Sequence, residues 1–64
     1  MPTKIGWLDN GSYSDVIAAE DVQTVAGKVE DALASNLRFV LVTDTSTNKK
    51  VSVTAENVKT MDEV

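Results

Sequence analysis

The chain has 64 residues, of which 42% are hydrophobic and 25% charged; with 6 basic and 10 acidic side chains, its formal net charge is −4. A chain of this length forms one small domain, residues 1–64, whose hydrophobic core alone supplies little stability. It contains neither cysteine nor histidine, which excludes disulfides and histidine-bound metals as added support and favours association with other chains. A monomer is the alternative, because many domains of about 60 residues fold alone.

The first predicted element is a hairpin around Asn10-Gly11. A type I′ turn requires positive φ at both central positions, which Asn and Gly adopt more easily than other residues. A two-residue loop places Asp9 opposite Ser12, and counting outward divides the apolar side chains between the two faces of the hairpin. One face holds Ile5, Trp7 and Val16, and the other holds Leu8, Tyr13 and Ile17.

A helical pattern follows, because apolar residues recur at steps of three and four. They are Ala18, Val22, Val25, Ala26, Val29, Leu33 and Leu37. The spacing predicts an amphipathic helix over about residues 19–36, with Glu20 and Asp21 in its first turn, where negative charge complements the helix dipole. Asn36 is able to adopt the left-handed conformation that ends many helices.

A second hairpin is predicted from residues 38–44 and 50–54, which are rich in β-forming residues and are joined by a polar connection. If Asp44 lies opposite Lys49, four valines share one face and can meet the helix. They are Val40, Val42, Val51 and Val53. The opposite face then carries Phe39 and Leu41.

The remaining residues predict a short helical turn at 55–57, a last strand at 58–61 and a frayed end at 62–64. The fold class is therefore α+β. One amphipathic helix packs on a small, mostly antiparallel sheet in the order β-β-α-β-β-(β), and a partly open barrel is a variant of this arrangement.

The residue types that carry catalysis are scarce in this chain. A Ser or Thr nucleophile lacks the His that usually activates it, and no carboxylate pair stands in apolar surroundings that would shift its pKa. Four oxygen donors surround the first turn, but their spacing does not match a calcium loop. They are Asp9, Asn10, Ser12 and Asp15. We predict no enzymatic activity, no cofactor and no metal; an enzyme would need a buried Lys or carboxylate in a cleft.

The charge balance disfavours nucleic acid as a partner, since a net charge of −4 repels the phosphate backbone. The alternative function is nevertheless a barrel-like module for single-stranded nucleic acid, using basic side chains with Tyr13 or Phe39 as a stacking aromatic. The basic residues are Arg38, Lys49, Lys50 and Lys59. The longest apolar run, residues 39–42, is far shorter than the about 20 residues that span a bilayer. Without a secretory pattern, the cytoplasm is the expected location.

Residues 50–61 form a strand, a helical turn and a strand, an arrangement that resembles the closing segment of many small β-barrel modules. The whole chain, which is short, rich in Val and Thr and free of Cys and His, is similar in general character to small orphan accessory proteins of tailed phages. Some of those proteins decorate capsids or bind host factors. The resemblance implies an accessory structural or interaction role, with virion association for a phage-derived chain.

The second apolar sheet face is the feature that points to a partner. A single helix covers only one face of a two-layer domain, which leaves the other face to be covered by another chain. We predict an interface centred on Phe39 and Leu41 and surrounded by Leu8, Tyr13 and Met61. The chain is then a small homo-oligomer, or it docks on a larger protein assembly.

Overall fold

The computed structural model describes all 64 residues, Met1–Val64. The elements are β1 (Thr3–Asp9), β2 (Ser12–Ala18), α1 (Val22–Ala34), β3 (Phe39–Asp44), β4 (Lys49–Thr54), a 3₁₀ turn (Ala55–Asn57) and β5 (Val58–Glu63). The five strands form one antiparallel sheet in the order β4-β3-β2-β1-β5. The α+β prediction is confirmed. The sheet is not closed, since β4 and β5 remain its two ends.

The β1–β2 hairpin has the predicted register. Asp9 pairs with Ser12 and Leu8 with Tyr13, and the pairing continues to Thr3 opposite Ala18. Asn10 and Gly11 both have positive φ, 52° and 82°, as a type I′ turn requires. Turn chemistry alone therefore fixes which side chains of these two strands face the core.

The β3–β4 hairpin also has the predicted register, with Val40 opposite Val53 and Val42 opposite Val51. Its connection is ordered by Asp44, whose carboxylate accepts the N–H of Ser46 at 2.9 Å and the hydroxyl of Ser46 at 2.8 Å. Such side-chain to backbone bonds hold a turn in place. The valine face of this hairpin is turned to the helix.

The two hairpins are joined in the sheet by a single residue pair at one corner. Ala18 of β2 pairs with Asp44 of β3, and two hydrogen bonds flank the pair: Ala19 N–H to Thr43 O at 2.8 Å and Thr45 N–H to Ile17 O at 3.0 Å. Because each strand ends at this pair, β3 runs on past the end of β2. Residues 39–42 therefore have β4 on one side and no strand on the other.

The core lies between α1 and the inner sheet face. It consists of Ile5, Ala18, Val25, Val29, Ala32, Val40, Val42, Val53 and Ala55. The helix contributes Val25, Val29 and Ala32, which are spaced by four and three residues and so share one face. Four residues of the predicted apolar face are outside the core. Val22 and Ala26 are partly buried, whereas Leu33 is 50% exposed and Leu37 is 60% exposed.

The helix is shorter than the predicted 19–36. It begins at Val22, and Asp21 is its N-cap, with a carboxylate oxygen that accepts the N–H of Thr24 at 2.8 Å. Glu20 stays outside the helix because its carbonyl accepts the hydroxyl of Thr3 at 2.9 Å. The prediction that Glu20 and Asp21 occupy the first turn is therefore wrong. At 13 residues, α1 is neither long nor apolar enough to cross a membrane.

The C-terminal end of α1 is closed by a left-handed residue, as predicted. Asn36 has φ 57°. Its N–H is donated to Leu33 O at 3.4 Å, and the N–H of Leu37 is donated to Ala32 O at 2.8 Å, which is the bond pattern of a Schellman cap. The cap turns the chain away from the helix axis before Leu37, which explains why Leu37 does not share the buried helical face.

The last strand is longer than predicted. Asp62 and Glu63, expected to fray, belong to β5 and lie opposite Lys4 and Thr3. The N–H of Val64 is donated to Pro2 O at 3.0 Å. Pairing with β1 supplies the backbone partners that the polar sequence of this segment does not suggest.

Candidate interaction surface

Phe39 and Leu41 lie on the outer face of β3, away from the helix, and are 57% and 54% exposed. Their neighbours in the strand, Val40 and Val42, are buried on the inner face. This alternation follows from the period of two in a strand. It leaves two large apolar side chains in solvent on the stretch of β3 that has no neighbouring strand on one side.

A groove of about 310 Å³ adjoins these side chains. One wall comes from α1, with Lys28, Asp31 and Ala32, and the other comes from Leu37 and the first residues of β3, Phe39 to Leu41. Five of its seven lining residues are hydrophobic, so the groove is an apolar slot with one positive and one negative charge on its helical wall.

The backbone of β3 also faces this groove. The N–H of Thr43 is donated to Glu20 and the carbonyl of Thr43 accepts from Ala19, so Thr43 directs its backbone groups away from β4. In an antiparallel strand, alternate residues point the same way. Phe39 and Leu41 therefore also direct N–H and C=O groups away from β4. One of these carbonyl groups already has a partner, because Lys28 Nζ donates to Leu41 O at 3.0 Å.

Leu8 and Tyr13, which we predicted to surround this centre, lie elsewhere on the sheet. From the corner pair, Tyr13 is five residues back along β2, about 17 Å, whereas Leu41 lies about 10 Å away along β3 in the opposite direction. Tyr13 has a different neighbour. An added Cβ on Gly6 would lie 2.7 Å from Tyr13 Cζ, so the tyrosine ring covers that glycine. Its hydroxyl lies 3.5 Å from Thr60 Oγ1.

Met61 is on the other side of the sheet. It pairs with Ile5, is partly buried and packs against the core. A register shift between Gly6 and Trp7 lets Val58, which also packs against the core, lie opposite Trp7. The structure therefore brings together only Phe39 and Leu41 of the five residues predicted for the interface.

The predicted interface contained only two of the seven groove residues and missed Lys28, Asp31, Ala32, Leu37 and Val40. Leu37 fitted the helical repeat, and only the left-handed Asn36 immediately before it signals that the helix has already ended. Lys28 and Asp31 are three residues apart on α1, a spacing that places them on one side of the helix. Nothing in the sequence shows that this side borders β3.

Glu20 is the main electrostatic feature beside the groove. Its carboxylate accepts the N–H of Thr43 at 2.9 and 3.2 Å and the Thr43 hydroxyl at 3.1 Å. Lys50 Nζ lies 3.7 Å and Lys28 Nζ 3.9 Å from it. Burial acts to raise the pKa of Glu20, but the Thr43 hydrogen bonds, its own backbone N–H and the Lys28 charge together hold the pKa below its usual value. Glu20 thus joins the helix start to β3.

The basic residues of the alternative function do not gather. Arg38 and Lys49 lie at opposite ends of the β3–β4 hairpin, about 20 Å apart along the strands, and Lys59 is in β5 at the far edge of the sheet. Lys50 Nζ is directed to the hydroxyl of Thr43 at 3.0 Å. These side chains form no basic patch next to Phe39 or Tyr13.

A second cavity of about 220 Å³ lies at the corner between the hairpins, against Asp15, Ile17 and Asp44. Hydrogen bonds from the hydroxyl and N–H of Ser46 hold the pKa of Asp44 below its usual value. That carboxylate is therefore occupied in fixing the β3–β4 turn.

Comparisons of the chain with protein-family models, with curated proteins and with solved structures found no match.

Proposed function

We propose that this protein is a non-catalytic interaction or structural accessory module that presents the groove and the adjoining side chains of Phe39 and Leu41 to another protein chain. It acts as a small homo-oligomer or docked on a larger assembly. The observation that carries the proposal is an apolar slot of about 310 Å³ beside a strand stretch with no neighbour on one side.

Burial of apolar surface would supply the free energy of association. Phe39, Leu41 and Leu37 are each more than half exposed and border one groove. Fully burying a large apolar side chain contributes about 1.5–3 kcal/mol. Because these three are already nearly half covered, each supplies about half of that, and together they supply a useful part of an association energy. Contiguous exposed apolar side chains mark interaction surfaces more often than isolated ones do.

Charge supports a protein rather than a polyanion as the partner. The groove carries one lysine and one aspartate, and the chain carries a net charge of −4, whereas a surface that binds phosphates has clustered basic residues. The larger assembly would be of the kind that accessory proteins of tailed phages decorate, by the resemblance in general character described above.

The test is light scattering during size-exclusion chromatography, from micromolar to millimolar protein, for the wild type and Phe39→Asp. We expect a mass above that of the monomer for the wild type and a lower mass for Phe39→Asp, with similar urea midpoints. The matched control is Ile17→Asp, which changes another exposed outer-face side chain, 42% exposed, away from the groove. A wild type that stays monomeric, together with Phe39→Asp indistinguishable from it in association and stability, would remove the proposal.

A further inference from the structure

We propose that the occupant of the groove is a second copy of this chain, which pairs with the free stretch of β3 about a two-fold axis at Val40. This inference rests on the proposed function and names its partner. In the dimer, the two β3 strands join antiparallel, so that one sheet continues from one copy into the other.

The edges of the sheet differ in how they are protected. The outermost strand β4 carries Lys49 and Lys50 and the outermost strand β5 carries Lys59, Asp62 and Glu63. Charged side chains on an edge strand oppose pairing with another chain. β2 is also unpaired on one side before Ala18, and that stretch carries Asp15. The free stretch of β3, from Phe39 to Leu41, carries no charge, so it is the edge best suited to accept a strand.

The backbone allows one register for this pairing. Placing Val40 opposite Val40 of the second copy sets Phe39 opposite Leu41 of that copy, and both of these residues direct their N–H and C=O groups outward. Moving the axis to Leu41 would set Phe39 opposite Thr43, whose N–H and C=O are already bonded to Glu20 and Ala19. Moving it to Phe39 would set Leu41 opposite Leu37, which lies outside the strand.

The same register is complementary in side chains. On the outer face, Phe39 of each copy pairs with Leu41 of the other, and an aromatic residue opposite an aliphatic one is a favourable cross-strand pair. Four large apolar side chains then cover one another around the axis. An interface built on a two-fold axis requires such self-complementarity.

The charges of the groove are complementary as well. The two-fold axis keeps both α1 helices on the same side of the joined sheet and makes them antiparallel, so Lys28 of one copy faces Asp31 of the second copy. Lys28 Nζ is bonded to Leu41 O in the single chain, and releasing that carbonyl to the incoming strand frees the ammonium for this ion pair. Each Lys28 and each Asp31 in the dimer thereby gains a partner of opposite charge.

The size of the contact predicts a moderate affinity. A standard interface covers about 800 Å² on each partner, roughly a fifth of the 4150 Å² accessible surface of this chain. The free stretch of β3 is only about three residues long, so one groove and this short strand form a contact smaller than the standard size. We therefore expect a dimer that dissociates on dilution, with an affinity in the micromolar range.

The test uses the absence of cysteine in the natural chain. Directly opposite residues of a non-hydrogen-bonded pair have Cα atoms about 4.5 Å apart, within the range for a disulfide. Val40→Cys should therefore form a disulfide-linked dimer under mild oxidation.

Because Val40 is buried, a second experiment uses exposed positions: mixing Phe39→Cys protein with Leu41→Cys protein should give a crosslinked species that contains one of each. The matched control, Ser52→Cys on the outer edge of β4, should not crosslink.

A second measurement is sedimentation equilibrium of the uncrosslinked protein. Asp31→Lys places two lysines against each other across the axis and should weaken the dimer at least tenfold, with an unchanged urea midpoint. A dimer that shows neither cysteine crosslink would overturn the β3 pairing and leave the proposed function intact. A wild type that is monomeric at millimolar concentration and indistinguishable from Phe39→Asp would overturn both the second copy as partner and the proposed function.

Discussion

The two hairpins carry equally exposed aromatic residues but give them different surroundings. Tyr13 on the β1–β2 hairpin and Phe39 on the β3–β4 hairpin are both 57% exposed. The tyrosine ring covers Gly6, and its hydroxyl reaches toward Thr60 of β5. Phe39 instead borders a groove with Leu37 and Leu41.

Exposed area alone does not distinguish the surroundings of these two aromatic side chains. On the first hairpin, a third strand, β5, lies next to β1 and lets one aromatic side chain contact three strands of its own chain. On the second hairpin, β3 extends beyond the end of β2, so no third strand lies next to residues 39–42. The same residue class therefore packs on its own sheet at one site and borders an open groove at the other.

The largest expected effect is on the corner that joins the two hairpins. Glu20→Ala leaves the N–H of Thr43 without its acceptor and Lys28 and Lys50 without their carboxylate. An unsatisfied, partly buried donor costs about 1–3 kcal/mol, so we expect a loss near 2 kcal/mol in urea unfolding of the dilute protein.

The control for this variant is Glu56→Ala, an exposed acid in the 3₁₀ turn, which should change the free energy of unfolding by less than about 0.5 kcal/mol. Equal losses for the two variants would mean that Glu20 does not join the hairpins.

The next largest loss of stability is expected in the β1–β2 hairpin, where the Tyr13 ring covers Gly6. A Cβ on Gly6 would stand 2.6 Å from Thr60 Oγ1 as well as 2.7 Å from Tyr13 Cζ, so Gly6→Ala must displace the tyrosine ring. Overpacking of this kind costs about 1–3 kcal/mol, and we expect the lower end because the side chain that yields is exposed. A double-mutant cycle should show a smaller cost for Gly6→Ala when Tyr13→Ala is already present. Additive costs would contradict the contact.

A direct comparison of the two aromatic residues should show a smaller difference. Tyr13→Ser removes a ring that packs on its own sheet and should cost about 1 kcal/mol, whereas Phe39→Ser should stay within about 0.5 kcal/mol, the usual range for surface substitutions. Chemical unfolding of both variants in dilute solution measures the difference. A greater loss for Phe39→Ser would show that Phe39 supports the monomer and would weaken the case for an interface.

The smallest effect is on the pH dependence of stability. The folded-state pKa of Glu20 lies below its usual value of 4.5 because hydrogen bonds from Thr43 outweigh the effect of burial. A lowered pKa gives stability that is fully present above that usual value and is lost as the pH falls through the lowered one. Asp21 and Asp44 act in the same direction through hydrogen bonds from Thr24 and Ser46. The free energy of unfolding should fall in acid, with a shallower slope for Glu20→Gln.

The fold followed from the sequence wherever local chemistry decides. Asn10-Gly11 fixed one register, the alternation of valines fixed another, and Asn36 marked the helix end. These signals depend on residues close together in the chain. The predicted helix start was wrong because Glu20 is hydrogen-bonded to Thr3 and Thr43. A local sequence pattern does not indicate partners that are distant in the chain.

The candidate surface was predicted only in part. Strand alternation placed Phe39 and Leu41 on the outer face, but grouping Leu8 and Tyr13 with them assumed that all strands overlap along their length. The single pair between β2 and β3 invalidates that assumption. Met61 was misplaced for a different reason, because its face depends on pairing with Ile5 from the far end of the chain.

The pairing of β5 with β1 has a consequence for synthesis of the protein. β1 acquires its second neighbour only when residues 58–63 have been made, so the first hairpin leaves the ribosome with one flank open. Contacts between distant parts of a chain form late and slow the search for the native state. A nascent chain therefore completes this sheet only when β5 has emerged, and until then one flank of β1 is unpaired and open to misassembly.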